Sequence, residues 1–406
     1  METKTREDII QEIFKTKERN ILLQLPTSFG KTKITIDLLA ERSNQRWKVT
    51  KKFPKILVVV PRLVHFDTWK SEFLKWNKER LLSCVTFTTY ASLEKHTGVW
   101  DFVVFDECQH LSERCRNLIS KFDIANSFLL SATIKQQHLE DLKATFRGLY
   151  VYGVSTREAI VNGILPDPVV LLYPLRLDGV NCNQVYIKRP TKKPVVNCIY
   201  RDRFKYLYNR DIQIKIRCTA VEYHQLLVED INYYEDRMKY SVKEGLRFKW
   251  LNLRSQRLTW LSNQKLDKVK QILAVCKHER TLTFCNSIAQ TEKLGDYPIN
   301  SENGNSMENL EKFNNGEIDH ITACNMLNEG VNLTDCRIGI YANLNSSKTI
   351  VQQRLGRILR HKNPLIIIPY YTNTREEELV KKMIEDYNPS LVHTINHLNE
   401  LLKFLQ

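Results

Sequence analysis

The stretch Ile21-Leu22-Leu23-Gln24-Leu25-Pro26-Thr27-Ser28-Phe29-Gly30-Lys31-Thr32 passes from an apolar run to a Gly-Lys-Thr triplet. The apolar part, Ile21 to Leu25, reads as a buried strand, and Lys31 to Arg42 reads as the helix that follows. A loop set between a strand and a helix N-terminus is the context in which backbone N–H groups cradle a phosphate. In such a loop Gly30 lets the backbone approach closely, and Thr27, Ser28 and Phe29 shape the cradle. Lys31 can neutralise the β- and γ-phosphates of ATP, and the Thr32 hydroxyl can ligate Mg²⁺. The full pattern expects Gly where Leu25 stands, and a chance Gly-Lys-Thr at a helix start is the bland alternative.

Working outward, Phe105-Asp106-Glu107-Cys108-Gln109-His110 closes another apolar run some 75 residues on. Alone, an Asp-Glu pair is usually a solvated strand end. After a phosphate loop it reads as the other half of an ATPase site, with Asp106 holding Mg²⁺ and Glu107 orienting the attacking water.

Further short runs, Ile56 to Val60, Val85 to Thr88, Phe102 to Phe105 and Phe128 to Leu130, alternate with helical patterns such as Asp67 to Lys75. Thr281 to Phe284, Ile321 to Cys324, Ile338 to Tyr341 and Leu365 to Pro369 form a second set, with helices at Met307 to Asn314 and Ser347 to Leu359. Before that set, Leu266, Val269, Ile272, Leu273 and Cys276 share one helical face. Alternation of this kind predicts two α/β blocks, each a mostly parallel sheet under helices. Between the blocks, Tyr223, Leu226, Leu227, Ile231, Tyr234 and Met238 recur at helical spacing, as packing aromatics rather than ligand contacts. The expected division is 1–172, a basic region 173–262, and 263–406 with a C-terminal helix.

The chain has 406 residues and a formal charge of +15. Lys and Arg exceed Asp and Glu by 6 over residues 1–180 and by 12 over 181–280, and fall short by 3 over 281–406. The excess therefore sits in the middle, where Lys188, Arg189, Lys192 and Lys193 precede Tyr200, Phe204, Tyr206 and Tyr208. Basic residues interleaved with aromatics suit phosphate contacts and base stacking, and otherwise a solvated loop. The apolar runs are too short to span a bilayer, the N-terminus lacks a secretory h-region, and no basic amphipathic helix for a membrane surface is visible. Ten cysteines without a C-x-x-C pair predict buried reduced thiols in the cytoplasm (the host's, were the source viral) rather than a zinc site.

At this point the chain resembles the superfamily 2 helicases, the DExD/H-box group, over roughly residues 6 to 361. Val60-Pro61-Arg62 and Thr88-Thr89-Tyr90 resemble nucleic-acid-contacting motifs, and Ser131-Ala132-Thr133 matches the coupling motif. Phe284-Cys285-Asn286-Ser287 matches the opening of the second lobe, and Glu329-Gly330-Val331-Asn332 the motif facing both ligands. Gln353-Arg354-Leu355-Gly356-Arg357-Ile358-Leu359-Arg360 matches the family's Q-R-x-G-R-x-x-R pattern. In style the motifs are similar to phage UvsW-type helicases and to the motors of type I and type III restriction enzymes.

The resemblance implies two RecA-like lobes with ATP between them. Gln353, Arg357 and Arg360 would reach across the cleft, the two arginines as fingers that stabilise transition-state charge. Arg6 and Gln11 would contact the adenine, and Gly330 and Asn332 the nucleotide from the second lobe. Pro61, Arg62, Thr89, Tyr90, Asn286, Cys324 and Asn325 would grip nucleic acid, DNA rather than RNA. Two departures stand out: Gln109 where His or Asp is usual, which leaves hydrolysis intact but bears on its coupling to unwinding, and Cys324 in place of a hydroxyl residue. The implied activity is an ATP-driven helicase or translocase in replication, recombination or repair, monomeric and open to partner proteins. The alternatives are a duplex translocase subunit of a larger complex, an RNA helicase, and a scaffold with a dead ATPase.

Overall fold

Two parallel sheets carry the chain. The computed structural model describes residues 4–188, 214–240, 244–324, 333, 336–345, 347–385 and 387–405. The first sheet uses β1 (Asn20–Gln24), β2 (Ile56–Val60), β3 (Val85–Thr89), β4 (Val99–Phe105), β5 (Asp123–Ser131) and β6 (Tyr150–Gly153). They lie in the order β3-β2-β4-β5-β1-β6, with every pairing parallel. All five residues of Ile56–Val60 are buried, as a strand covered on both faces requires, and the adjoining Phe102 and Phe128 rings stack with centroids 6.3 Å apart.

The next strand, β7 (Val169–Leu175), leaves the first sheet. After it come the antiparallel hairpin β8 (Gln184–Lys188) and β9 (Ile214–Cys218), and then β10 (Thr281–Phe284), β11 (Pro298–Ile299), β12 (His320–Ala323), β13 (Ile338–Tyr341), β14 (Leu365–Tyr371) and β15 (Val392–Thr394). The second sheet runs β11-β12-β10-β13-β14-β7-β15. Register from Leu365↔Val169 to Tyr371↔Leu175 makes β7 an interior strand of this sheet.

The expected boundary at 172 therefore falls inside a strand of the second sheet. Val169 to Leu175 is an apolar run, and its burial is completed by β14 rather than by anything in the first sheet. At the other boundary, the helix Glu244–Gln264 already delivers Leu261 and Ser262 into the second core. There the Ser262 hydroxyl donates to the Ala342 carbonyl at 2.8 Å.

The helix Ala220–Lys239 opens with a capping box, Thr219 with Glu222. It buries Leu226, Leu227 and Ile231, and Tyr223 packs on Trp260 with ring centroids 4.9 Å apart, so its aromatics are packing residues as expected. Lys265 is fully buried. Its ammonium donates to Glu376 at 2.7 Å and to the Pro369 carbonyl at 3.1 Å, pinning the helix Arg375–Ile384 to the chain entering the second lobe.

Among the described residues, seven cysteines are buried, Cys84 is half-buried, Cys182 is exposed, and no cluster could hold a metal ion through His, Cys, Asp and Glu. No described helix is long and apolar enough to cross a membrane.

Candidate active site

β1 ends at Gln24 and the helix Lys31–Thr50 begins seven residues later, with Gly30 as its N-cap at φ 98°. No side chain caps this terminus, so its N–H groups are left for an anion. Glycine suits position 30 because the φ is left-handed; an added Cβ would also lie 2.4 Å from Arg6 Nη2 and displace the tip of that flexible side chain. Arg6 reaches the loop from the helix Arg6–Lys15, donating to the Phe29 carbonyl at 2.9 Å. Gln11, expected beside it at the adenine, lies exposed on the outer side of that helix, whose buried face is Ile9 and Ile13. Phe29 itself is buried and anchors the loop.

Lys31 donates to the Leu25 carbonyl at 3.0 Å and to the Pro26 carbonyl at 3.4 Å. Burial lowers its pKa, the carboxylates of Glu107 and Asp106 act against that, and Arg357 adds to the lowering. The lysine thus feels both carboxylates of the first lobe and an arginine of the second. Thr32 follows as the second residue of the helix, on the same turn.

The carboxylates arrive at the end of β4. Asp106 accepts from the Trp69 indole Nε1 at 2.9 Å through Oδ2 and from the Glu107 N–H at 3.0 Å through Oδ1. Burial, and then the neighbouring Glu107 charge, push its carboxyl up to about 6, while Trp69 and Lys31 pull it down. The Asp106 carboxylate and the Thr32 hydroxyl are hard oxygen donors of the kind Mg²⁺ prefers.

Glu107 sits at φ 48°, a left-handed turn that swings its side chain out of the strand line. Gln109 Nε2 donates to Glu107 Oε2 at 2.8 Å, and Ser131 Oγ donates to Gln109 Oε1 at 2.7 Å. The Ser131 hydroxyl also holds the next turn, accepting from the Thr133 N–H at 3.2 Å. Glutamine at 109 therefore does what an amide does well, donating to one neighbour and accepting from the other. It ties the carboxylate to the Ser131-Ala132-Thr133 segment.

From the second lobe, the helix Lys348–Ile358 presents Gly356 directly to the phosphate loop. A Cβ on Gly356 would stand 2.0 Å from Thr27 Oγ1 and 2.2 Å from Thr27 Cβ. The Ser28 hydroxyl donates to the Gly356 carbonyl. Arg360 Nε donates to Ser28 Oγ at 3.3 Å, and its Nη1 to the Leu333 carbonyl at 2.9 Å. Arg357 is nearly buried, and Gln353 is buried with Nε2 lacking a hydrogen-bond partner among the described residues. Lys31, Asp106, Glu107, Arg357 and Arg360 thus meet at one seam. Arg354, in the same motif, is structural: it donates to the Asn343 carbonyl at 3.0 Å and lies over Phe284 with 5.2 Å to the ring centroid.

The expected nucleic-acid contacts divide. Arg62 is exposed just past β2, and Pro61 and Thr89 are half-buried at strand ends. Asn286, after β10, is half-buried, with its Nδ2 donating to Thr259 Oγ1. Two are displaced from that role. Tyr90 is buried, its hydroxyl donating to the Asp106 carbonyl at 2.7 Å, so it braces the carboxylate turn. Cys324 is buried in the second core and offers nothing to a phosphate. Arg189, Lys192, Lys193, Asn325, Gly330 and Asn332 lie outside the described residues; of Lys188 only the backbone, in β8, is described. Sequence reasoning missed Trp69 and the hydroxyl of Tyr90 as supports of Asp106, since nothing local to either marks a partner 37 or 16 residues away.

Comparison with known proteins agrees with this geometry. Residues 2–136 match the family model "Type III restriction enzyme, res subunit", and residues 264–362 match "Helicase conserved C-terminal domain". The chain is 23% identical over 397 residues to the DNA 3'-5' translocase XPB2 of Sulfurisphaera tokodaii, covering 92% of this chain and 80% of that one. Among solved structures it is similar to S. cerevisiae Dbp5 bound to RNA and ADP BeF3, at a TM-score of 0.60 and 10% identity, covering 100% of this chain and 94% of the other. It is also similar to a fragment of a putative HsdR subunit of a type I restriction enzyme from Vibrio vulnificus YJ016, at 0.58 and 15%, covering 96% and 68%. The two-lobed parallel fold, the paired family matches and the seam joining Lys31 and Glu107 to Arg357 and Arg360 mark this chain as an ATP-hydrolysing member of the superfamily 2 helicases, related to the motors of restriction enzymes.

Proposed function

We propose that this chain is an ATP-driven motor that moves along DNA, with Mg²⁺ as the metal of the reaction. The observation that carries the reading is the meeting of both lobes on the phosphate loop, where Gly356 and Arg360 touch Thr27 and Ser28. The 3'-5' DNA translocase of S. tokodaii supports DNA as the track.

Lys31 and the open helix terminus would hold the β- and γ-phosphates. Thr32 and Asp106 would hold Mg²⁺, which when bound neutralises phosphate charge. Glu107, oriented by Gln109, would accept the proton of the attacking water. Arg357 and Arg360 would steady the charge that builds on the transferred phosphoryl group. Since the carboxylate is tied through Gln109 to Ser131, the γ-phosphate state would be felt at the Ser131-Ala132-Thr133 turn and at the lobe interface. Closing and reopening the lobes would then alternate two grips on the backbone, Arg62 and Thr89 on one lobe and Asn286 on the other. Binding through phosphates makes the track largely sequence-independent and salt-sensitive.

The deciding experiment is ATP turnover measured side by side with duplex DNA, single-stranded DNA, branched DNA and RNA. Stimulation by DNA over RNA, lost in Glu107→Gln while ATP still binds, is the expected result. Turnover that no nucleic acid alters would end the motor reading.

A further inference from the structure

Away from the nucleotide seam, the helix Glu244–Gln264 and the second lobe enclose a cavity of about 290 Å³. Arg254, Arg257 and Arg375 line it, with Asn286, Asn343 and Asn345. Among the described residues, one carboxylate forms an ion pair with these three guanidinium groups: Glu378, which bonds Arg375. Neither Arg254 nor Arg257 forms an ion pair among the described residues. Arg254 instead lies over Trp250, 4.3 Å from the ring centroid. The Nε of Arg257 is buried without a hydrogen-bond partner. Burial, and then the charges of Arg375 and Arg254, lower the pKa of Arg257, and the Glu378 carboxylate acts against them. Leaving a buried guanidinium donor unmade while like charges crowd it is unfavourable, and one bound anion would relieve both penalties. Of available anions, phosphate matches the planar fork of arginine best.

We propose that this cavity is a backbone-phosphate site, a grip on nucleic acid supplied by Arg254, Arg257 and Arg375 outside the helicase motifs. It rests on the reading above that the chain moves on nucleic acid. A backbone phosphate is favoured over a free one because Asn286 stands in the cavity wall while its own amide is tethered to Thr259 of the same helix. The track and the arginines are thus joined through one side chain. Leu251 and Ser255 are exposed at the rim and Arg254 is half-buried behind them, so a phosphate that is part of a longer strand can enter from outside. The helix carrying Arg254 and Arg257 belongs to the basic middle of the chain, which gives that region a defined contact.

The test uses the full chain and a labelled duplex, with affinity measured across a series of salt concentrations. For Arg254→Gln with Arg257→Gln, the slope of log affinity against log salt should fall by about 1 to 2, and affinity near 0.15 M salt should drop roughly tenfold. Arg257→Lys keeps the charge and should hold the wild-type slope, which a merely structural arginine would not predict. Should the double variant fail to melt cooperatively, Arg254→Gln alone, which leaves the buried Arg257 in place, should lower the slope by about half as much. An unchanged slope in folded variants would overturn this inference and leave the motor reading standing. A wild type that binds no nucleic acid would remove both. Inorganic phosphate that stabilises the wild type, spares the variants and fails to compete with the duplex would also overturn it, by placing a free anion in the cavity.

Discussion

Replacing Gly356 by alanine adds one methyl group where the two lobes touch. That Cβ would stand 2.0 Å from Thr27 Oγ1, 2.2 Å from Thr27 Cβ and 3.3 Å from Thr27 Cα. Carbon atoms at rest sit about 3.5 to 4.0 Å apart, so the overlap is on the order of 1.3 Å or more. Rotating the Thr27 side chain moves its oxygen but not its Cβ, which the backbone fixes. The helix Lys348–Ile358 must therefore back away from the phosphate loop, carrying Arg357 with it and stretching the 3.3 Å contact from Arg360 to Ser28.

A misplacement of about 1 Å in a catalytic group costs on the order of 100-fold in rate, or about 2.7 kcal/mol of transition-state stabilisation. ATP affinity should change far less, because the loop and Lys31 belong to the first lobe. Stability should hold or rise, since alanine is favoured over glycine inside a helix by about 1 kcal/mol. The assay is steady-state ATP turnover at saturating ATP and DNA, with nucleotide binding and thermal melting measured in parallel. Adding Thr27→Gly should recover part of the loss, a coupling that a double-mutant cycle would read directly. Turnover of Gly356→Ala within about twofold of wild type would refute the claim that this contact forms in the working cycle.

Lys31→Ala should abolish turnover in the same assay, because the phosphates lose their counter-charge. Glu107→Gln should bind ATP and hydrolyse it about 10²- to 10⁴-fold more slowly, read by single-turnover kinetics. Gln109→Ala cuts the tie between Glu107 and Ser131; DNA-stimulated turnover should fall more than basal turnover, and an equal fall in both would argue that Gln109 only positions the carboxylate. Burial pushes His320 down to about 4 from an ordinary 6.5, so the unfolded chain takes up the proton first. Stability should be full above pH 6.5 and fall by about 2 kcal/mol between pH 7 and pH 5, a slope that His320→Gln should flatten in denaturant titrations. Lys265→Ala strands the Glu376 carboxylate in the core and should cost about 3 to 5 kcal/mol of stability by the same titrations.

What the chain discloses in one dimension is what depends on near neighbours. The strand–loop–helix at Ile21 to Thr32, the carboxylates ending β4 and the buried run of β2 each bring their evidence within about a dozen residues, and each forms as read. Long-range choices were not legible. Val169 to Leu175 reads equally well as a strand of either lobe, and only pairing with β14, nearly two hundred residues later, decides it. Cys324 and Tyr90 sit in motif positions that suggest exposure, yet the sheet beneath them turns their side chains inward. The bond from Trp69 to Asp106 depends on where a helix packs, which spacing does not encode.

The placement of β7 bears on how such a chain is made. Residues up to Gly153 can close the first sheet as soon as they leave the ribosome, because every strand they need is already synthesised. β7 emerges next with no neighbour, an apolar ribbon whose flanking partners are the last long strand and the short β15. It must wait through the whole basic middle of the chain before β14 arrives. During that interval its unpaired edges are open to another nascent copy or to a chaperone. A chain truncated before Leu365 should therefore yield a soluble first lobe trailing a sticky tail, whereas cutting before Val169 should yield a clean one.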